Sequence, residues 1–492
     1  QFSDVYPTDW AYQALSNLIE RYGCVAGYPN GTYRGNRAMT RFEAAALLNA
    51  CLDRVTEVTD ELKRLMKEFE MELAIVKGRV DGLEARVGEL EATQFSTTTK
   101  LKGYAAFVIG APNASSSVSS AAKEYNSNYG ATVFNYDARL FLDTSFTGKD
   151  LLRTMLRAGN FGKSVFFGNG EVAGVPTGLT GMETAFEEPS GANSLAVNRI
   201  WYQFPLGSNF TVTAGGLVRQ DDMLAVWPSA YPADTILDVF TYAGAPGTYN
   251  LTLGQGAGIW WSDNGWSVSL NYVSANGKES NPNEGGIATD GAASNGTAQL
   301  AYTAEQWGIA AAYNYASGDN GVGIYSGNGT PLAVELYGGD NGGVTNSVGV
   351  SAYWSPSESG WIPSISTGWG LNSTTMEDNI VYDSASSQSW YVGLQWSDVF
   401  VKGNTLGGAV GQPTFVTAID YDSDYDGSDY VGDGNYAFEL WYQFQVTDNI
   451  SVTPAIFYLS RPLGQKTFDI DGDREDTCLL YTSDAADECD SV

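Results

Sequence analysis

The feature that most constrains this chain is a long stretch of alternating residues, which begins near Phe95 and runs to residue 476. Apolar and polar residues exchange places at every second position, in short segments rich in Tyr, Trp, Gly and Asn. A period of two is the signature of strands. Trp201, Gln203 and Pro205 fall on one face of such a strand, and Tyr202, Phe204 and Leu206 on the other. After the turn Gly207-Ser208-Asn209, the next strand opens as Phe210-Thr211-Val212-Thr213. The theme recurs as Trp441-Tyr442-Gln443-Phe444 followed by Asn449-Ile450-Ser451-Val452-Thr453. Similar strands are expected at Gly258 to Trp261, Trp266 to Val273, Ala298 to Ala304, Gly308 to Tyr315, Val348 to Trp354 and Trp390 to Trp396.

So many apolar faces need a partner. No segment reaches the run of about 18 apolar residues that a transmembrane helix requires, so a membrane protein with this sequence must be a barrel. Aromatic residues sit at strand ends, where barrels carry their girdles. Polar, glycine-rich connections are long on one side (Gly277 to Asn295, Ser317 to Thr330, Asp420 to Asn435) and very short on the other, as in outer-membrane barrels. The competing architecture, a soluble sandwich array or solenoid, would show a fixed repeat period and would leave the aromatic face bare. One strand and its turn take about 23 residues, so about 16 strands fit, enough to enclose an aqueous channel. The expected fold is mainly β, an antiparallel transmembrane β-barrel over residues 95–476.

Composition narrows the function. With 26 Lys+Arg against 57 Asp+Glu, the formal charge is −31, which argues against nucleic acid as a partner and against docking through a polybasic patch. There is no histidine. The commonest general base and metal ligand are therefore missing, and no Ser-centred elbow or carboxylate pair replaces them, so no enzyme, metal site or cofactor is expected. Gln1 reads as a mature or trimmed start. Of the four cysteines, Cys24 and Cys51 lie near the start. They are either a disulfide of an oxidising compartment or two buried thiols, and spacing does not decide between them.

Residues 1–54 have a different texture. Pro7, Thr8, Asp9 and Trp10 lead into Ala11, Leu15, Leu18 and Ile19, which have helical spacing, with Asp9 or Thr8 as the cap. Gly27-Tyr28-Pro29-Asn30-Gly31 is a turn cluster. Thr40 and Glu43 form a capping-box pattern for a second helix. With Phe2-Ser3-Asp4-Val5, Trp10-Ala11, Gly27 to Tyr33 and Thr40-Arg41-Phe42-Glu43, the block resembles an S-layer homology domain. The resemblance implies binding to peptidoglycan or a linked polysaccharide, with Asp4, Trp10, Gly31, Thr32 and Arg41 as glycan contacts. An aromatic face stacks on a sugar, and Arg41 can pair with an acidic substituent. The plainer alternative makes Trp10 core and turns Arg41 to nearby carbonyls.

Residues 55–94 carry apolar residues at Val55, Val58, Leu62, Leu65, Phe69, Leu73, Val76, Val80, Leu83, Val87 and Leu90. This is a heptad helix with one stutter. Gly78, Gly82 and Gly88 fall off the seam and cost about 1 kcal/mol each. The stripe implies a self-associating coiled coil; the alternative is a single helix folded back on the head. Head, rod and barrel together resemble cyanobacterial-type outer-membrane porins with a barrel of the carbohydrate-selective type, some of them labelled iron-uptake porins. That resemblance implies homotrimers in the outer membrane, a periplasmic N-terminal domain tethered to peptidoglycan, and passage of small solutes or inorganic ions such as sugars or iron. A mainly mechanical tether is the alternative function.

Two strands propose the pore chemistry. In Asn135 to Asp143 one face holds Asp137, Arg139 and Asp143, while Phe134, Tyr136, Ala138, Leu140 and Leu142 occupy the other. In the next strand Arg153, Met155 and Arg157 oppose Leu152, Thr154, Leu156 and Ala158. A charge facing lipid at mid-depth costs about 2–4 kcal/mol, so the charged faces should line the lumen. Arg139, Arg153 and Arg157 then form either a basic ladder opposite carboxylates on an inward loop, or a brace paired with Asp137 and Asp143.

Two further segments call for a reading. Asp422, Asp424, Asp426, Gly427 and Asp433 mimic a calcium loop, but Asp429 sits where an apolar residue belongs and no helices flank the run. It reads as a solvated acidic loop. Residues 477–492, from Cys478 and Cys489 to Val492, do not read as a final barrel strand. The run Cys478 to Glu488 resembles translated sequencing-adapter sequence, so a non-native tail is expected there.

Overall fold

The computed structural model describes Met66, residues 98–467 apart from 117–118, 173, 233–235, 318–323, 325, 338–342, 359, 377–380 and 422–430, and the backbone of 477–489. The chain divides into two units after Phe95. Apart from Met66, the expected head and rod, with Asp4, Trp10, Cys24, Gly31, Thr32, Arg41 and Cys51, lie outside the described residues.

The second unit is a single antiparallel ladder. It runs through β1 (Thr99–Ser116), β2 (Val133–Thr144), β3 (Leu151–Gly159), β4 (Ala196–Leu206), β5 (Phe210–Arg219), β6 (Leu253–Asp263), β7 (Trp266–Ser274) and β8 (Ser294–Thr303). It continues through β9 (Trp307–Ser317), β10 (Val344–Trp354), β11 (Ser364–Thr375), β12 (Tyr382–Ser397), β13 (Thr405–Tyr421) and β14 (Tyr436–Thr447). β15 is split at Pro454 into Ile450–Val452 and Ala455–Ser460, because proline has no N–H to give the ladder. β16 (Thr477–Cys489) pairs with β15 on one side and with β1 on the other, so the ladder returns to its start. The sheet joins 17 segments among the described residues, or sixteen spans once the halves of β15 are counted as one.

Residues 477–489, read from the sequence as a tail apart from the barrel, thus stand in the closing position. The reason is physical. The edges of β1 and β15 present unpaired N–H and C=O groups, and a ladder forms through the backbone of whatever extended segment lies between them.

Alternation sets the two faces. Phe134 and Leu140 on β2 are 65% and 42% exposed, whereas Asp137 between them is fully buried. The short connections gather at one end: 145–150, 207–209, 264–265, 304–306, 355–363, 398–404 and 448–449. Asn264 and Gly265 both take positive φ, the Asn-Gly pairing that a two-residue hairpin demands. Asp150 stitches the 145–150 turn, accepting from Thr147 N–H and O–H and from Ser145 and Tyr202 hydroxyls. The opposite end carries the long connections 117–132, 160–195, 220–252, 275–293, 318–343, 422–435 and 461–476, with one short connection, 376–381, among them. The first holds α1 (Ser119–Tyr129) and the fifth holds α2 (Pro331–Leu336).

Two of these connections fold inward. Residues 220–252 coat the inner wall from β7 round to β14. Gln299 donates to the Val226 carbonyl, Ser351 to that of Ala243 and Ser389 to that of Gly244. At the far wall Glu439 accepts from Tyr231 O–H at 2.7 Å and Leu237 N–H at 2.8 Å. The wall is made of small residues where the loop passes: a methyl group on Gly368 would sit 1.8 Å from the Ala243 carbonyl oxygen. Residues 160–195 pack beside it, with Phe166 edge-on to Phe457 of β15.

The acidic loop requires a correction. Residues 422–430 lie outside the described residues, but Asp433 is 1% exposed rather than solvated. Its carboxylate accepts from Thr330 O–H at 2.6 Å, Val416 N–H at 2.8 Å and Gln465 N–H at 2.9 Å. It joins three connections and β13. Thr330 also caps α2 through Ala333 N–H.

Candidate functional site

Five arginines stand on the inner face of four consecutive strands: Arg139 on β2, Arg153 and Arg157 on β3, Arg199 on β4 and Arg219 on β5. Register places Arg139 opposite Arg157 and Asp143 opposite Arg153. Asp137 receives Arg157 through two parallel bonds of 2.8 and 2.9 Å, and Arg139 through one of 2.6 Å. Asp143 receives Arg153 through bonds of 2.8 and 2.9 Å, with Lys102 at 3.4 Å on its other side. The strip continues through Arg199 to Asp222 at 3.2 Å and through the two-pronged pair of Arg219 with Asp221. Sequence reasoning left two readings for Asp137, Arg139, Asp143, Arg153 and Arg157. The geometry has the paired form, and the pairs are built into a ladder.

Aromatic rings hold the guanidinium planes. Arg157 lies 4.1 Å over Phe186, Arg139 lies 4.9 Å over Tyr104, and Arg153 lies 5.4 Å from both Phe141 and Trp201. A planar fork that stacks and pairs at once is fixed in direction, which lysine could not match. The carboxylates take Nε and Nη2 of Arg153, Arg157 and Arg219. A guanidinium has five N–H donors, so each keeps donors beyond its pair. Four carboxylates offset most of the charge of the five arginines and Lys102. The strip therefore offers directed hydrogen-bond donors beside ring faces, with a modest positive excess.

The inward loops add acids that the sequence did not single out. Asp221 and Asp222 open the 220–252 connection. Arg219, ahead of the other charges nearby, offsets the burial that disfavours a charged Asp221, whose carboxyl lies below its usual range. Burial and the neighbouring Asp221 push Asp222 up. Glu183, on the 160–195 connection, lies within electrostatic reach of Arg139, Arg157 and Arg219. Arg199 and Arg219 were missed because each stands alone in its strand: only the register of β3 through β5 brings them into line.

A sixteen-span antiparallel barrel with apolar outer rows, a polar lumen narrowed by inward loops and short turns at one end is an outer-membrane porin, a channel and not an enzyme. The model of the carbohydrate-selective porin, OprB family matches residues 57–472, and that of the S-layer homology domain matches residues 1–45. The chain belongs to the OprB family of carbohydrate-selective porins and carries an S-layer homology domain ahead of its barrel. It is 36% identical to the protein alr4550 of Nostoc sp. over 94% of its own length and 81% of that protein. Over 19% of its length it is 38% identical to 9% of outer membrane protein SlpA of Thermus thermophilus. OprB of Pseudomonas putida superposes with a TM-score of 0.49 and 13% identity, over 80% of this chain and 94% of that one.

Proposed function

We propose that the chain is a wall-anchored diffusion channel whose best-fitting solutes are small neutral sugars. The observation that supports this reading is the ladder of paired arginines and aspartates set against Tyr104, Phe141, Phe186 and Trp201. A sugar brings hydroxyls for the charge-held donors and C–H faces for the rings. A bare ion is less well served, because every arginine is already paired with a carboxylate, Arg139 and Arg157 sharing Asp137. In liposome swelling, sugars should enter faster than polyols of equal size that lack a ring. Entry at equal rates would leave only a sieve, and inorganic ions such as iron would then be the solutes to try.

The head supports an anchor. Its match to the S-layer homology domain, and to a stretch of an outer membrane protein in Thermus, favours a periplasmic position bound to peptidoglycan or a linked polysaccharide through Asp4, Trp10, Gly31, Thr32 and Arg41. One weak wall contact per chain gains firmness if the rod of residues 55–94 gathers three chains, since linked sites raise effective concentration. Pull-down of residues 1–54 on purified peptidoglycan tests the anchor, and sedimentation of residues 55–94 tests the trimer. Planar-bilayer conductance separates a channel from a mere tether.

A further inference from the structure

At the short-turn end, the connections 355–363 and 398–404 carry aromatic rings at their tips. Trp361 is 99% exposed and Phe400 90%, against 49% for Trp266 and 43% for Trp307 beside other short turns. Phe400 is held at φ 61° and Asp398 at φ 59°, in the left-handed region that bulky side chains avoid. Both tips are braced. The Asp398 carboxylate accepts from Gly403 N–H at 2.7 Å, and Tyr442 O–H donates to the Val399 carbonyl at 2.7 Å. Asn404 Nδ2–H donates to the Tyr442 hydroxyl at 3.0 Å, and the Phe400 ring lies 6.0 Å from that of Tyr442. Trp396 Nε1–H donates to the Trp361 carbonyl at 3.0 Å, which ties the other turn to β12.

Between the tips runs a groove of about 590 Å³, lined by Trp361, Trp396, Val399, Phe400 and Leu406. That volume lies within the range of about 300–1,000 Å³ usual for ligand sites. Trp396 and Leu406 are cross-strand partners on the outward row of β12 and β13, alternating with the buried Tyr391, Gly393, Gly407 and Ala409. The groove is therefore continuous with the lipid-facing wall. Short turns of an outer-membrane barrel lie on the periplasmic side, so the groove meets the phospholipid leaflet there. Water fills it poorly, since the cost of wet apolar surface grows with its area. Lys402, exposed on the same turn, supplies an ammonium for a phosphate, and lysines near an interface extend to the headgroups. We propose that the groove is a binding site for one phospholipid of the periplasmic leaflet, with an acyl chain between Trp361 and Phe400 and the phosphate towards Lys402. An aromatic girdle elsewhere meets a fluid annulus of lipid, whereas a groove with braced walls retains one molecule.

The test is native mass spectrometry of the full chain, purified in detergent and mixed with dioleoylphosphatidylglycerol. One lipid per chain should survive the activation that strips the others. Trp361→Ala combined with Phe400→Ala should cut that retention severalfold, while Trp266→Ala, in the ordinary girdle, should leave it unchanged. No loss from the double variant, or an equal loss from Trp266→Ala, overturns the site. If the double variant does not fold, the wild type decides in vesicles of phosphatidylglycerol that carries a diazirine at the end of its acyl chain. After photolysis, lipid adducts should concentrate in residues 360–361 and 396–406. Even labelling around the girdle rejects the site, and so do crosslinks between two chains at Trp361 in place of lipid adducts, which would make the groove a contact between copies.

Discussion

At the scale of single residues, the most exacting position is Asp137. It is fully buried and serves two arginines from neighbouring strands. Asp137→Asn keeps the shape and removes the charge, leaving Arg139 and Arg157 without their counter-ion. Breaking a buried pair from one side costs about 3–5 kcal/mol. The variant should unfold at a lower temperature, followed by circular dichroism, and its reversal potential should shift towards anions. Gly368 is exacting for steric reasons. Gly368→Val has no room beneath the Ala243 carbonyl, so the loop should lift and single-channel conductance should rise while the barrel persists. Asp137 was visible in the sequence as one of the charged inner-face residues, but Gly368 was not: it is one of 57 glycines and is singled out only by the Ala243 carbonyl packed on it.

At the scale of elements, strands were more legible than connections. The alternation placed β2 through β10, β12 and the Trp-Tyr-Gln-Phe stretch inside β14, because the outward apolar row must be continuous along each span; β11 was not singled out. The inward loops left no such trace, since a segment that packs against a polar inner wall needs no period of its own. Residues 220–252 look like any irregular stretch until Ser351, Ser389 and Gln299 are found bonded to their carbonyls. Replacing 221–251 by a short glycine-rich linker should raise conductance severalfold and blur discrimination among sugars, with the strand signal in circular dichroism retained. Asp433 ties the long-connection end in the same manner. Asp433→Ala removes three acceptor bonds, each worth about 1 kcal/mol net, and amide exchange should quicken at Val416 and Gln465 while β3 stays protected.

At the scale of the whole molecule, the membrane-facing and solute-facing requirements fall on separate layers. The outer layer is a ladder whose side chains need only be apolar and bulky. The inner layer is two loops plus an arginine strip on β2 through β5. Calibre and chemistry are therefore set by parts that take no share in contact with lipid. The pattern change near Phe95 located the start of the ladder, since alternation and heptads are the two periods a chain can least disguise.

The inward loops have a further consequence for how such a pore can diversify. A loop anchored by hydrogen bonds to serines and glycines of a common wall can change its own tip without disturbing insertion into the bilayer. Related channels can thus keep one cylinder and exchange the lining, as a lock keeps its housing when it is rekeyed. Variation in what passes should accumulate in residues 160–195 and 220–252, while the strands drift only among apolar side chains of similar bulk.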